Sequence, residues 1–378
     1  MPDSTSLLSF PDLPMLPRAV WGQLYGSALA LAVAELADRQ PGPVLVVTAD
    51  PQTADRLKDE VQFFAPIGLE LLLLPDSEAL PYDAFSPHPD IISQRLRTLS
   101  RLPDMDRGVV IVALATLMQR LPPATWVLGS SLEIAVGQRL DSDAFRARMA
   151  AAGYTVVSQV SEHGEFAVRG SIIDIFPMGS ERPYRVDMFD DQIESIRLFD
   201  PDTQRSAGRI EAVCVLPARE FPFTGEAIDA FRERFRETFP IDLSRVGVYG
   251  EVSEGIAPGG IEFYLPLFFD RLDTLAGYLP EGCSIVAATD IAPGAEQIWK
   301  EILARYEQLR HDLERPRLPP ESLYAPPEEL AAQFGDRPMV RLDGFEVGQG
   351  GWNAGATRLP PLRIAARPGH PSGLLDGF

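Results

Sequence analysis

Three apolar runs decide the fold: PVLVVTA (43–49), LELLLLP (69–75) and GVVIVAL (108–114). Helical patterns separate them, one from about Pro51 to Phe64 and one from Asp90 to about Leu102. Short apolar runs that alternate with helices are what a parallel sheet buried on both faces requires. Segment 1–130 is therefore read as an α/β domain. Upstream, GQLYGSALALAVAELADR, starting at Gly22, has the length and Ala/Leu content of a helix, and Pro41-Gly42 ends it. A late strand, MVRL (339–342), is expected to rejoin this sheet, which brings 336–345 back to the first domain.

The texture changes after about Ser130. Short alternating segments follow one another, FAVR, SIIDIF, YRVDMF, QIESIRLF and IEAVCVL, with one helix at about Ser142 to Ala152. That pattern predicts an antiparallel α+β insert over 131–217. Segment 218–335 is read as a mixed helical domain. It holds the helix EAIDAFRERFRETF, the aromatic stretch IEFYLPLFF (261–269), a strand at CSIVAAT and a long helix from about Pro293 to Leu313. The Gly/Pro-rich 346–378 is read as a linker and the truncated start of a following domain.

The 378 residues carry 54 acids against 34 bases, a net charge of −20. So acidic a chain repels phosphate backbones on average, so a nucleic-acid contact would have to be local. Lys occurs only at 58 and 300, leaving 32 Arg. Cys214 and Cys283 lie in apolar runs read as buried strands, and no disulfide framework or zinc spacing is present. With no basic leader and no membrane-length apolar run, a cytoplasmic protein with no membrane contact is expected.

Before the opening helix a phosphate loop would read GxxxxGK[ST]. Here Gly22 and Gly26 survive, but Ser27 or Ala28 stands in the place of the Lys, depending on register. Arg18 is too far upstream to substitute. GxSxG, HExxH, GxGxxG after a strand and an acidic box after GVVIVAL are absent. Asp187, Asp190 and Asp191 are better read as a hairpin turn than as a metal cluster. No catalytic residue, metal or cofactor is expected.

LPDSEALPYDAFSPHPDIISQRLRTLSRLP (74–103), GEFAVRGSIIDIFPMGSERPYRVDMFDDQIESIRLFDPDTQRS (164–206) and GIEFYLPLFF (260–269) closely resemble the N-terminal part of the bacterial transcription-repair coupling factors (Mfd). The likeness runs from about Trp21 to Leu342 and extends more distantly to the excision-repair protein UvrB. It implies a degenerate, helicase-like parallel-sheet domain 1A, a UvrB domain 2-like insert and a 1B-like domain. It further implies UvrA as partner, and RNA polymerase and duplex DNA as partners of the longer protein. ATP and Mg would act in motor domains outside this chain, and the C-terminal region would mask the module through an intramolecular contact. UvrB has the phosphate-loop Lys and a long aromatic hairpin; here the Lys is missing and only PYDAFSPHPD lies in the hairpin's place. The competing class is an ATP-dependent helicase or UvrB-type damage enzyme, with a DNA-binding accessory domain as a third.

In these families the Arg of the V-R-G segment, and the Arg and Phe of Y-R-x-x-x-F, contact UvrA. The matches are Arg169, Arg185 and Phe189. Period-two alternation turns Tyr184, Val186 and Met188 to one face and Arg185, Asp187 and Phe189 to the other. An outward aromatic beside Arg is the residue mix of an interface hot spot. The bland alternative pairs Arg169 and Arg185 with Asp187 or Glu165 and buries Phe189 under its hairpin. If the docking reading holds, charge reversal at Arg185 combined with Phe189→Ala should leave the melting temperature unchanged.

Overall fold

The computed structural model describes residues 9–10, 12–14, 18–335 and 337–357. Most of residues 1–17 and the end of the Gly/Pro-rich tail lie outside them. The first four strands are β1 (Arg18–Gly22), β2 (Val44–Thr48), β3 (Glu70–Leu74) and β4 (Gly108–Ala113). Next come β5 (Leu132–Ala135), β6 (Thr155–Val156), β7 (Glu165–Arg169), β8 (Ile172–Ile175), β9 (Tyr184–Phe189) and β10 (Gln192–Phe199). The last five are β11 (Ser206–Ile210), β12 (Ala212–Val215), β13 (Ser284–Ala287), β14 (Met339–Leu342) and β15 (Trp352–Asn353). Helices of eight residues or more are α1 (Ala28–Arg39), α2 (Pro51–Phe64), α3 (Pro89–Arg101), α4 (Ser142–Ala151), α5 (Gly225–Thr238), α6 (Ile291–Leu309) and α7 (Pro327–Phe334).

A seven-stranded parallel sheet runs β15-β1-β14-β13-β2-β4-β3. Its central strands are buried throughout, as their continuous apolar runs demand. Residues alternate between two cores: Leu45, Val47, Val110 and Val112 face one way, Val44, Val46, Val109 and Ile111 the other. The second core is roofed by α1 and α2. Asp50 caps α2 by accepting from the Thr53 N–H at 2.8 Å, with Pro51 preset in the first turn.

A six-stranded sheet, β11-β10-β9-β8-β7-β6, is antiparallel except for β6 on β7. Its inner face, with Phe166, Ile173, Val186 and Ile196, joins one continuous core with Leu96 and Leu99 of α3. Burying each such side chain stabilises by about 1.5–3 kcal/mol, which seats this sheet firmly on the first unit. A third core gathers the aromatics of the IEFYLPLFF region: Tyr264 and Phe268 pack with Phe231 and Phe235 of α5. Tyr82, from the short loop PYDAFSPHPD, is buried there and donates to the Leu318 carbonyl at 3.0 Å.

Several expectations are corrected. The chain is not helical from Gly22: β1 ends there, and α1 begins at Ala28 after Gln23 and Gly26 adopt positive φ. Helical composition could not show this, because five residues of sheet pairing decide it. CSIVAAT, placed by chain order in 218–335, supplies β13 between β14 and β2, so the first sheet recruits from that segment. Within 346–378, Trp352 and Asn353 are not a free linker but pair with Trp21 and Gly22. Arg95, expected with Arg97 and Arg101 to lie largely off the stripe of Ile92, Leu96 and Leu99, is buried, donating to Glu220 (2.7 Å) and the Pro75 carbonyl (2.9 Å). It sits three residues after Ile92 and four before Leu99, so it falls within the apolar stripe. Cys214 is exposed, because in β12 the alternation turns Val213 and Val215 inward instead. Among the described residues no helix is long and apolar enough to cross a membrane.

Candidate functional site

Two hairpin turns share one end of the antiparallel sheet. Gly170, at φ +60°, and Ser171 join β7 to β8; Asp190, at φ +58°, and Asp191 join β9 to β10. The Met188 N–H donates to the Ser171 carbonyl at 2.8 Å, so the turns are neighbours. Arg169 is the last residue of β7 and Phe189 the last of β9, so both stand at this end. Val186 and Met188 are buried, while Phe189 is 75% exposed. The ring therefore stands outside and does not plug the hairpin.

The two arginines meet at Asp174, which sequence reading did not single out. Asp174 lies directly opposite Arg185 across β8 and β9 and is fully buried. Arg185 grips it with a fork, Nε to Oδ1 at 2.7 Å and Nη2 to Oδ2 at 2.9 Å, and Arg169 Nη2 bonds the same Oδ2. The bonds to Asp174 push the Arg185 guanidinium further above its ordinary value. Its Cζ also lies 4.9 Å from the centroid of the buried Phe199 ring, a cation–π contact. The intramolecular partner is thus Asp174, not Asp187 or Glu165. Asp187 is used by its other neighbours, accepting from Ser195 Oγ at 2.7 Å and Arg197 Nε at 3.0 Å. A signal was present: in SIIDIF a lone acid interrupts an apolar run, and such an acid must find cations on adjacent strands.

Two cations on one carboxylate leave the cluster with a surplus positive charge. Arg185 is the inner member, its side chain 17% exposed, and Arg169 the outer, at 50%. The outer guanidinium keeps donors free for a second carboxylate, and the inner one fixes its place.

The turn from Gly22 to Ala28 lacks the Lys that would hold a triphosphate. Ser27 precedes α1 without a side-chain cap bond. On the Gly22 side the chain packs close, while the space around Gly26 is open. A methyl group on Gly22 would overlap the Phe345 carbonyl oxygen, Asn353 Oδ1 and the Val347 side chain. The Gln23 N–H donates to the Phe345 carbonyl at 3.2 Å and the Ala354 N–H to the Gly22 carbonyl at 3.0 Å. Asn353 clasps Val347 from both sides, accepting from its N–H and donating to its carbonyl, each at 2.8 Å.

With this geometry in place, the comparisons with known proteins are consistent along the chain. Residues 132–221 match the UvrB interaction domain family. The transcription-repair-coupling factor of Escherichia coli is 44% identical over 360 residues, covering 94% of this chain and 31% of the relative. That of Haemophilus influenzae is 39% identical over 373 residues, 97% of this chain and 32% of the relative. That of Bacillus subtilis is 27% identical over 294 residues, 74% of this chain and 25% of the relative. The chain spans about a third of the length of the first two relatives. An antiparallel sheet that matches the UvrB interaction domain, set in a chain alike from end to end, places the protein in the transcription-repair-coupling factor family, as its N-terminal UvrB-like module.

Proposed function

We propose that this module serves transcription-coupled nucleotide excision repair by docking UvrA on the turn end of the antiparallel sheet. Phe189 is the anchor that enters a pocket of the partner, Arg169 meets a carboxylate beside it, and Arg185 holds Asp174 and Arg169 in place. The single observation that supports this most is Phe189, three-quarters exposed at a hairpin tip on the same end of the sheet as Arg169. Exposed aromatics flanked by Arg are the residues on which interface free energy concentrates.

A protein partner suits the electrostatics better than DNA. Between residues 131 and 217 there are nine Arg and no Lys against fourteen acids. Such a surface has few cations to neutralise phosphates, while a placed guanidinium fork still pairs with a carboxylate. The module is taken to be non-catalytic, and a helicase reading lacks the phosphate-binding Lys. The units correspond to a 1A-like parallel-sheet domain, a domain 2-like insert and a 1B-like domain. In the longer protein, the remaining two thirds would carry the RNA polymerase and DNA contacts, and a C-terminal region would cover the docking face until repair begins.

The test is a titration of the purified chain with UvrA, beside ATP and duplex DNA controls. Saturable binding that Phe189→Ala weakens about thirtyfold supports the reading. Wild-type binding that the variant leaves unchanged rejects the site.

A further inference from the structure

Between β5 and α4 the chain makes a short extra rung on the antiparallel sheet. Gly137 turns with φ +86°, and its N–H donates to the Ile193 carbonyl at 2.8 Å. The Ile193 N–H returns to the Gln138 carbonyl at 2.9 Å, and the Leu140 N–H donates to the Asp191 carbonyl at 2.7 Å. Arg139 thereby pairs antiparallel with Gln192, and Gln192 pairs with Phe189. Residues paired across adjacent strands share a face, so Arg139, Gln192 and Phe189 form one outward row.

Arg139 is the most exposed of the cations that reach this end, its side chain 83% open. Among the described residues its one ionic neighbour is Asp191, Nε to Oδ2 at 3.6 Å, in an exposed and loose pair. Such a pair gives way to a better-placed carboxylate at little cost. Four strand spacings separate Arg139 from Arg169, roughly 19 Å, with Phe189 between them. An aromatic centre flanked by guanidiniums on both sides matches the core and rim of a standard protein interface.

We propose that Arg139 is a further recognition residue of the docking face, and that the partner surface is an apolar pocket with acidic groups on both flanks. This inference rests on the UvrA-docking reading. A rim cation acts mainly by steering encounter, so its loss lowers the association rate and the salt dependence. A central aromatic acts mainly on the rate of dissociation.

The experiment measures association and dissociation of UvrA with wild type, Arg139→Glu, Arg139→Lys and Phe189→Ala, at two salt concentrations. Arg139→Glu is expected to slow association about tenfold and flatten the salt dependence, with an unchanged melting temperature; Arg139→Lys is expected to stay within about twofold. If Phe189→Ala weakens binding and Arg139→Glu does not, the assignment of Arg139 is overturned and the docking reading stands. If neither variant changes binding, the docking reading falls as well.

Discussion

Asp174 and Arg185 face each other on neighbouring strands, and the guanidinium holds the buried carboxylate through two hydrogen bonds of 2.7 and 2.9 Å. This pairing gives Arg185 a structural duty that its position in an outward-facing row conceals. Cutting a buried ion pair at one partner strands the other charge, which costs about 3–5 kcal/mol. Arg169 still reaches Asp174, so Arg185→Ala should cost about 3 kcal/mol, the lower end of that range. Chemical denaturation checks this. A charge reversal at Arg185 should cost more, so a melting temperature that stays put on changing this residue is no longer the expected outcome. Loss of UvrA binding in such a variant would mix lost contact with lost fold.

Phe189 separates the two. Its ring is three-quarters exposed and adds little to the core, so Phe189→Ala should alter stability by less than about 0.5 kcal/mol. In a complex the same ring is expected to contribute ~2 kcal/mol or more. The variant should therefore unfold like wild type and bind UvrA about thirtyfold more weakly. A variant that melts early would place the ring in the fold and not in the interface.

Legibility in the sequence followed the scale of the physical cause. Runs such as GVVIVAL announce a strand buried on both faces because every residue is apolar, and the helix over 51–64 carries its cap and its Pro in four residues. The alternation in YRVDMF likewise gave the correct inner and outer faces. What failed was decided by distant pairing. RAVWG becomes a strand because Met339–Leu342 lies beside it, and nothing local marks that. The joining of Arg169 and Arg185 through Asp174 depends on the register of three strands, which one-strand periodicity cannot supply.

The cysteines offer a simple check of register. Cys283 is buried beside β13, and burial pushes its thiol up to about 11. Cys214 is exposed on β12, opposite Glu133. A maleimide at neutral pH should therefore label one thiol in the folded protein, located by peptide mapping at Cys214, and two after unfolding. Native labelling of Cys283, or protection of Cys214, would contradict this strand assignment.

The chain segment over the Gly22–Ala28 turn makes the final prediction. Gly22 lacks a side chain and lets Phe345, Val347 and Asn353 close onto the strand end, while Trp352 packs edge-on against Trp21 with ring centroids 5.5 Å apart. Restoring the missing cation alone should then be insufficient: Ser27→Lys is expected to bind no fluorescent triphosphate analogue, because the strand end is packed against 345–354 and the Gln23 N–H is already given to the Phe345 carbonyl. Asn353→Ala removes both bonds to Val347 and should speed hydrogen exchange across 345–354 by roughly tenfold, with β2 and β4 unchanged. Triphosphate binding by Ser27→Lys, or exchange at 345–354 that is already as fast as in a free peptide, would mean that this segment does not close the turn.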